Sequence, residues 1–191
     1  MTTEKSRCEW CTGSDIEIDY HDKEWGVPLH DDQRLFEFLI LEGAQAGLSW
    51  ITILKKRDNF RAGFDGFDPL LVAEYDEAKV AELLQDKGII RHRGKIEATI
   101  GNARAYNEIE ARMGFDTYLW NYVDGKPLQP GFLTQKDVPT ETKLSQQISK
   151  DLKKEGFRFV GPTIVYAFME AVGIVNDHIT TCHRHHEVKG L

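Results

Sequence analysis

The chain has 191 residues, 41% hydrophobic and 29% charged, with a formal net charge of −7. That balance suits one soluble globular domain over residues 1–191 and excludes a disordered or fibrous chain. No apolar run approaches the ~20 residues of a bilayer-spanning helix, so no membrane association is expected, and the acidic total argues against nonspecific nucleic-acid binding.

The start, MTTEKSRCEW, lacks the hydrophobic stretch of a secretory signal, and three cysteines (8, 11 and 182) do not make a full disulfide set. The expected compartment is the cytoplasm, where thiols stay reduced.

Apolar positions recur at three and four, with no convincing strand alternation, so the expected class is all-α with seven to nine helices. Asp31 or Asp32 caps a helix through Leu35, Phe36, Leu39 and Ile40, and Gly43 and Gly47 interrupt it. Ser49 caps a second helix carrying Trp50, Ile53 and Leu54. Asp68-Pro69 pairs a cap with proline at the first helical position and opens a short helix to about Glu74. Asp76 starts another with Val80, Leu83 and Leu84 inward and Gly88 as its stop. A long helix is expected from about Gly94 to Met113 and a short one from Asp116 to Val123. DGKPLQPGFLTQKDVP reads as a loop. Lys143–Glu155 forms a helix, Gly156–Gly161 breaks it, and Pro162 starts the next helix, which Gly173 ends.

Those last two helices make a hairpin over 143–172. Glycine at each end of its turn lets the backbone approach another surface, and the second helix adds the positive end of its dipole. Backbone amides plus a dipole suit a phosphate, with Lys153, Lys154 and Arg158 flanking. An ordinary helix corner accounts for the same pattern. A second basic stretch, 91–104, holds Arg91, Arg93, Lys95 and Arg104 against Glu97 alone. A solvated helix face is the simpler reading there.

Cys8 and His21 near one end, with His178 and Cys182 near the other, form a donor set suited to tetrahedral zinc. The i, i+4 spacing of His178 and Cys182 places both on one helical face. Four protein ligands leave no open position, so such a metal is structural. Cys11 can replace Cys8, His183, His185 and His186 can compete, and ordinary buried cysteines with surface histidines remain open.

The blocks CEW, YHDKEWGVP, LEGAQAGLSWITILKKR, GIIRHRGKIEATIGNARAY, GFRFVGPTIVYAFMEAVG and VNDH resemble those of the 3-methyladenine DNA glycosylase I family, in order from about residue 7 to 183. The resemblance implies a helix-hairpin-helix DNA glycosylase fold, with a structural Zn2+ on Cys8, His21, His178 and Cys182 joining segments 7–30 and 174–186. It implies base-excision repair: hydrolysis of the N-glycosidic bond of 3-methyladenine in alkylated double-stranded DNA, with the free base as product. The family's pocket falls on Tyr20, Trp25, Glu42 and Trp50, with Trp10 close by. Glu42 is the catalytic candidate, an acid that accepts from the exocyclic amine and offsets the cationic ring; alone, it reads equally as a solvent-facing helix end. DNA contacts fall on Lys153, Lys154, Gly156, Arg158, Gly161 and Thr163. A monomer is expected.

Three departures stand out. Glu17 replaces a pocket aromatic expected three residues before Tyr20. Pro162-Thr163 follows the hairpin where lyase relatives carry lysine, which predicts a monofunctional hydrolase. Asn176 takes the place of a catalytic aspartate, leaving Asp177 a structural role, such as orienting a metal-bound histidine.

Overall fold

The computed structural model describes residues 5–191; residues 1–4 of the start MTTEKSRCEW lie outside it. Eleven α-helices follow one another among the described residues: α1 (Asp15–Lys23), α2 (Asp32–Gln45), α3 (Trp50–Leu54), α4 (Arg57–Gly63), α5 (Pro69–Ala73), α6 (Glu77–Gln85), α7 (Arg93–Met113), α8 (Phe115–Trp120), α9 (Lys143–Lys154), α10 (Pro162–Ala171) and α11 (His183–Lys189). The only β element there is one isolated bridge, Leu128 to Val175, which ties the long loop to the tail.

The count exceeds the expected seven to nine because α1, α4 and α11 carry no apolar stripe. α1 reads DIEIDYHDK and buries only Tyr20 and His21. Other starts match their sequence signals. Asp31, Asp68 and Asp76 each accept a backbone N–H of the first turn, and proline opens α5 and α10. Ser49 occupies the cap position of α3, but its hydroxyl pairs with Thr52 Oγ1 at 2.8 Å instead of the backbone. α6 stops at Gln85, short of Gly88.

Helix α2 is the axis of the core. Every residue from Leu35 to Ala44 is buried, because α10, α7, α8 and α3 pack around it. Two carboxylates are thereby taken inside: Glu37, which receives Arg61 at 2.8 Å, and Glu42, which receives nothing from the protein. Lys95 closes the helix, donating to the carbonyls of Ala44 and Ala46 at 2.8 Å each, where a cation meets the negative end of the dipole.

Lys95 belongs to the second basic stretch, and its neighbours are likewise occupied internally. Arg93 pairs with Glu77 and Glu97, and Arg104 donates to the Ala73 carbonyl. These three side chains belong to α7, while Arg91 is exposed just ahead of it.

In the hairpin, α9 packs on α10. Gly156 has φ +101°, a conformation L side chains rarely adopt, and it ends α9 as expected. Gly161 has φ −62°, which any residue takes, so no conformational demand fixes glycine there. The strained residue is instead Phe159, at φ +56°. Asn102 of α7 clamps this turn from below: its amide donates to the Arg158 carbonyl at 3.0 Å and its oxygen accepts the Arg158 N–H at 2.8 Å. Asn102→Ala leaves both groups unpaired and is expected to cost about 1–3 kcal/mol. Thermal unfolding together with DNA affinity checks this; unchanged values for both refute the clamp.

Candidate functional site

A 3₁₀ turn, Glu9–Gly13, hangs Trp10 over α1, and α1 brings Tyr20 and His21 inside. Trp25 follows α1, Glu42 comes from the buried end of α2, and Trp50 is the first residue of α3. These elements converge so that Trp10, Tyr20, Trp25, Glu42 and Trp50 line one cleft of about 230 Å³. Gln45, Gln135, Ala167 and Glu170 complete it. A nucleobase is smaller than the drug-sized ligands for which pockets run to about 300–1,000 Å³, so the size is apt. A crevice between α2, α7 and Phe159 holds about 20 Å³, room for little more than a water.

The cleft is aromatic and polar at once. The rings of Tyr20 and Trp50 stand 5.4 Å apart, those of Trp10 and Trp25 5.0 Å. Tyr20 Oη, Trp10 Nε1 and Trp50 Nε1 are buried without a protein hydrogen-bond partner. Such orphans are costly unless something completes them. Two carboxyls, Glu42 and Glu170, face this space, and no Lys or Arg lines it. Burial alone pushes Glu42 from an ordinary 4.5 to about 8. Burial, followed by the charges of Asp177 and Glu42, holds Glu170 well above its usual range. Tyr20 is raised in the same way, by burial first and Glu42 second.

The cleft shares Glu42, Gln45 and Ala167 with a groove that runs past Gly47, Leu48 and Thr163. The groove thus joins the cleft to the first turn of α10 at the hairpin. Lys153, Lys154 and Pro162 border a separate surface recess on the hairpin. Arg158 and Gly156 are exposed on the turn, and Gly161 is half-buried at the start of α10.

Glu17 lies outside the cleft lining. It sits in the first turn of α1, where its carboxylate accepts from Ser14 Oγ at 2.8 Å. Trp10 supplies a wall of the cleft. Asn176 is also absent from the lining: its amide donates to Gln129 and to the His185 carbonyl. Asp177 orients no histidine. It accepts the Tyr166 hydroxyl at 2.6 Å. Glu170, Gln135, Gln45 and Ala167 are missing from the sequence reading. Glu170 left a signal, an acid inside the apolar run TIVYAFMEAV, whereas Gln135 lies in a loop without periodicity.

Behind the cleft, Cys8, His21, His178 and Cys182 are all buried, with their ligand atoms within 4.8 Å of one another. Cys182 Sγ is 3.5 Å from both His21 Nε2 and His178 Nδ1, and Cys8 Sγ is 3.8 Å from His178 Nδ1. Ligand atoms around one tetrahedral ion with zinc bond lengths stand about 3.3–3.8 Å apart. The donor set therefore fits a metal.

The outer contacts agree with that reading. His21 Nδ1 meets Asp22 at 2.9 Å, and His178 Nε2 meets the Trp25 carbonyl at 3.0 Å, which turns the opposite nitrogens towards the two thiols, where a metal could be held. Burial pushes Asp22 up, but hydrogen bonds from Arg7 and His21 outweigh it and hold it at about 2. Burial lowers His178, favouring its neutral form, and the hydrogen bond from Cys8, helped by the two histidines, pulls the Cys182 thiol down. Gly26, at φ +77°, is required here, since a Cβ would stand 2.9 Å from His178 Nε2.

The open alternatives close on geometry. Cys11 turns its thiol to the Cys8 carbonyl at 3.1 Å, His183 bonds the Ser6 carbonyl and His185 the His178 carbonyl, and His186 is exposed outside the cluster. His178 and Cys182 do not share a helical face. They lie in the turn before α11, closed by the Cys182 N–H on the Ile179 carbonyl at 2.8 Å.

The family model for methyladenine glycosylase matches residues 10–185. The chain belongs to the methyladenine glycosylase family. Among its relatives, the DNA-3-methyladenine glycosylase 1 of Escherichia coli (strain K12) is 53% identical over 177 residues, 92% of this chain and 95% of that protein. A crystal structure of a 3-methyladenine DNA glycosylase I matches with a TM-score of 0.91 at 52% identity, covering 93% of this chain and 98% of that one. A variant of such an enzyme in complex with 3-methyladenine matches with a TM-score of 0.90 at 39% identity, covering 93% and 96%. As in those methyladenine glycosylases, the fold here is nearly all helix, and no described helix is long and apolar enough to cross a membrane.

Proposed function

We propose that this methyladenine glycosylase excises 3-methyladenine from alkylated duplex DNA by hydrolysing the N-glycosidic bond, the opening step of base-excision repair. The observation that carries the reading is the cleft: aromatic walls, unpaired polar atoms, a buried unpaired acid at Glu42 and no cationic side chain.

A methyl on N3 makes adenine a cation and a good leaving group, whose departure neutralises it. The protein's task is to extrude the nucleotide and hold the charged base. Ring faces of Trp50, Tyr20, Trp25 and Trp10 attract a cation by about 0.5–2 kcal/mol each. Glu42 accepts from the exocyclic amine and, as a carboxylate, offsets the ring charge. Its proton leaves as the cation arrives, because a positive neighbour favours the ionised acid. Water captures the oxocarbenium-like sugar.

Lys153, Lys154, Arg158, Thr163 and the amides around Gly156 and Gly161 position the phosphate backbone without reading sequence. Pro162 and Thr163 offer no amine for a Schiff base, which supports a monofunctional reaction. Cys8, His21, His178 and Cys182 hold a structural Zn2+, which fixes the chain ends and leaves the chemistry to the cleft. The reading is completed by a monomer in the cytoplasm, where the thiols a metal needs stay reduced.

Chromatography of bases released from methylated DNA tests the activity. Free 3-methyladenine is the expected product, with intact abasic strands; no release from well-folded protein refutes the proposal.

A further inference from the structure

Glu170 is the second acid of the cleft, and nothing in the reaction above uses it. It sits on α10 one turn beyond Ala167, while Glu42 comes from α2, the helix packed against α10. Glu170 is half-buried, and its side chain lines the cleft. Behind it, Asp177 is 1% exposed. Asp177 Oδ2 takes the Tyr166 hydroxyl at 2.6 Å, whereas Oδ1 receives no N–H or O–H from any other group. Glu170 stands near enough that the charge of Asp177 acts on it more strongly than that of Glu42. A Glu170 that keeps its proton is the donor Asp177 Oδ1 lacks, and burial beside two other acids favours that protonated form. One Glu170 oxygen is then committed to Asp177, and the other is an acceptor at the cleft wall.

An exocyclic amine carries two hydrogens, one on each side of the C–N bond. We propose that Glu170 is a base-contacting residue that fixes specificity, Glu42 and Glu170 each accepting one hydrogen of the 6-amino group of 3-methyladenine. The assignment rests on the glycosylase reading and deepens it. Two acceptors facing position 6 admit a 6-amino purine and repel a 6-oxo purine, whose oxygen offers them only lone pairs. A buried acceptor facing an analogue that lacks its donor is left unpaired, the strongest source of discrimination between similar ligands.

The test compares free 3-methyladenine with its N6-monomethyl derivative, which has lost one amine hydrogen, by tryptophan-fluorescence titration. Wild-type protein is expected to bind 3-methyladenine at least about tenfold more tightly, the worth of one hydrogen bond. Glu170→Met keeps side-chain bulk but no acceptor. It should lose about tenfold for 3-methyladenine and little for the derivative, collapsing the ratio. Glu170→Gln keeps an N–H for Asp177 and an oxygen for the amine, and should restore the wild-type ratio.

A wild-type protein that binds both bases alike overturns the assignment whether or not the Met variant folds. So does a folded Met variant with an unchanged ratio, or a folded Gln variant that loses it. Wild-type protein that neither excises nor binds 3-methyladenine sinks the glycosylase reading itself. An active wild type with a flat ratio removes only Glu170.

Discussion

Glu42→Gln is expected to slow 3-methyladenine release by about 10²–10³-fold, the usual effect of deleting one preorganised charge contact, while making the folded protein more stable. The two effects share a cause. Glu42 is 4% exposed, has no ionic partner and is raised to about 8 by burial. The unfolded chain gives up this proton near 4.5, the folded chain only near 8. Its stabilising contribution is therefore complete below about pH 4.5 and is lost as pH rises towards 8. At pH 7 the loss is on the order of 3 kcal/mol. Glutamine carries no such dependence.

Melting curves at pH 5 and pH 8 should show wild type and variant closer at the lower pH and separated at the higher. For a chain of this length, each kcal/mol moves Tm by about 2–4 °C. The kcat/KM of the wild type, which reports the free enzyme, should rise with pH towards 8. A glutamine variant that excises at the wild-type rate removes Glu42 from the reaction; one melting below wild type at pH 8 refutes the account of its burial.

The second large effect concerns the metal. Cys182→Ser removes the thiol that stands 3.5 Å from both histidines. The variant is expected to lose bound zinc and on the order of 4 kcal/mol of stability or more, since metal binding to a site absent from the unfolded chain is folding free energy. Elemental analysis and denaturant unfolding measure both, and chelation of the wild-type protein should reproduce the loss. A metal-free variant as stable as wild type would end the structural role.

Much of this molecule was legible because its strongest signals are local. A carboxylate before proline at Asp68-Pro69, or proline at the head of α10, fixes a helix start through atoms within one turn. The ligand pairing was legible for a different reason. Cys and His are few, and the two ends carry the right chemistry, although the expected helical face for His178 and Cys182 is a turn. Four-residue spacing brings side chains together in either conformation, so it cannot distinguish them.

Elements without an apolar stripe escaped, α1 above all, because tertiary burial of only two residues holds it. Glu170 and Gln135 escaped because each lies at least 85 residues from the tryptophans and tyrosine it faces. Their meeting depends on how α10 and the long loop dock, which periodicity does not encode.

Trp25 faces two compartments. Its ring lines the cleft, stacks on His21 with centroids 5.9 Å apart and stands nearly perpendicular to His178 with centroids 4.6 Å apart, while its carbonyl bonds His178 Nε2. A single indole is thus a party wall. Enlarging the chamber by trimming this side chain would also bare the imidazoles to water, so substrate range and metal retention cannot evolve independently at this position.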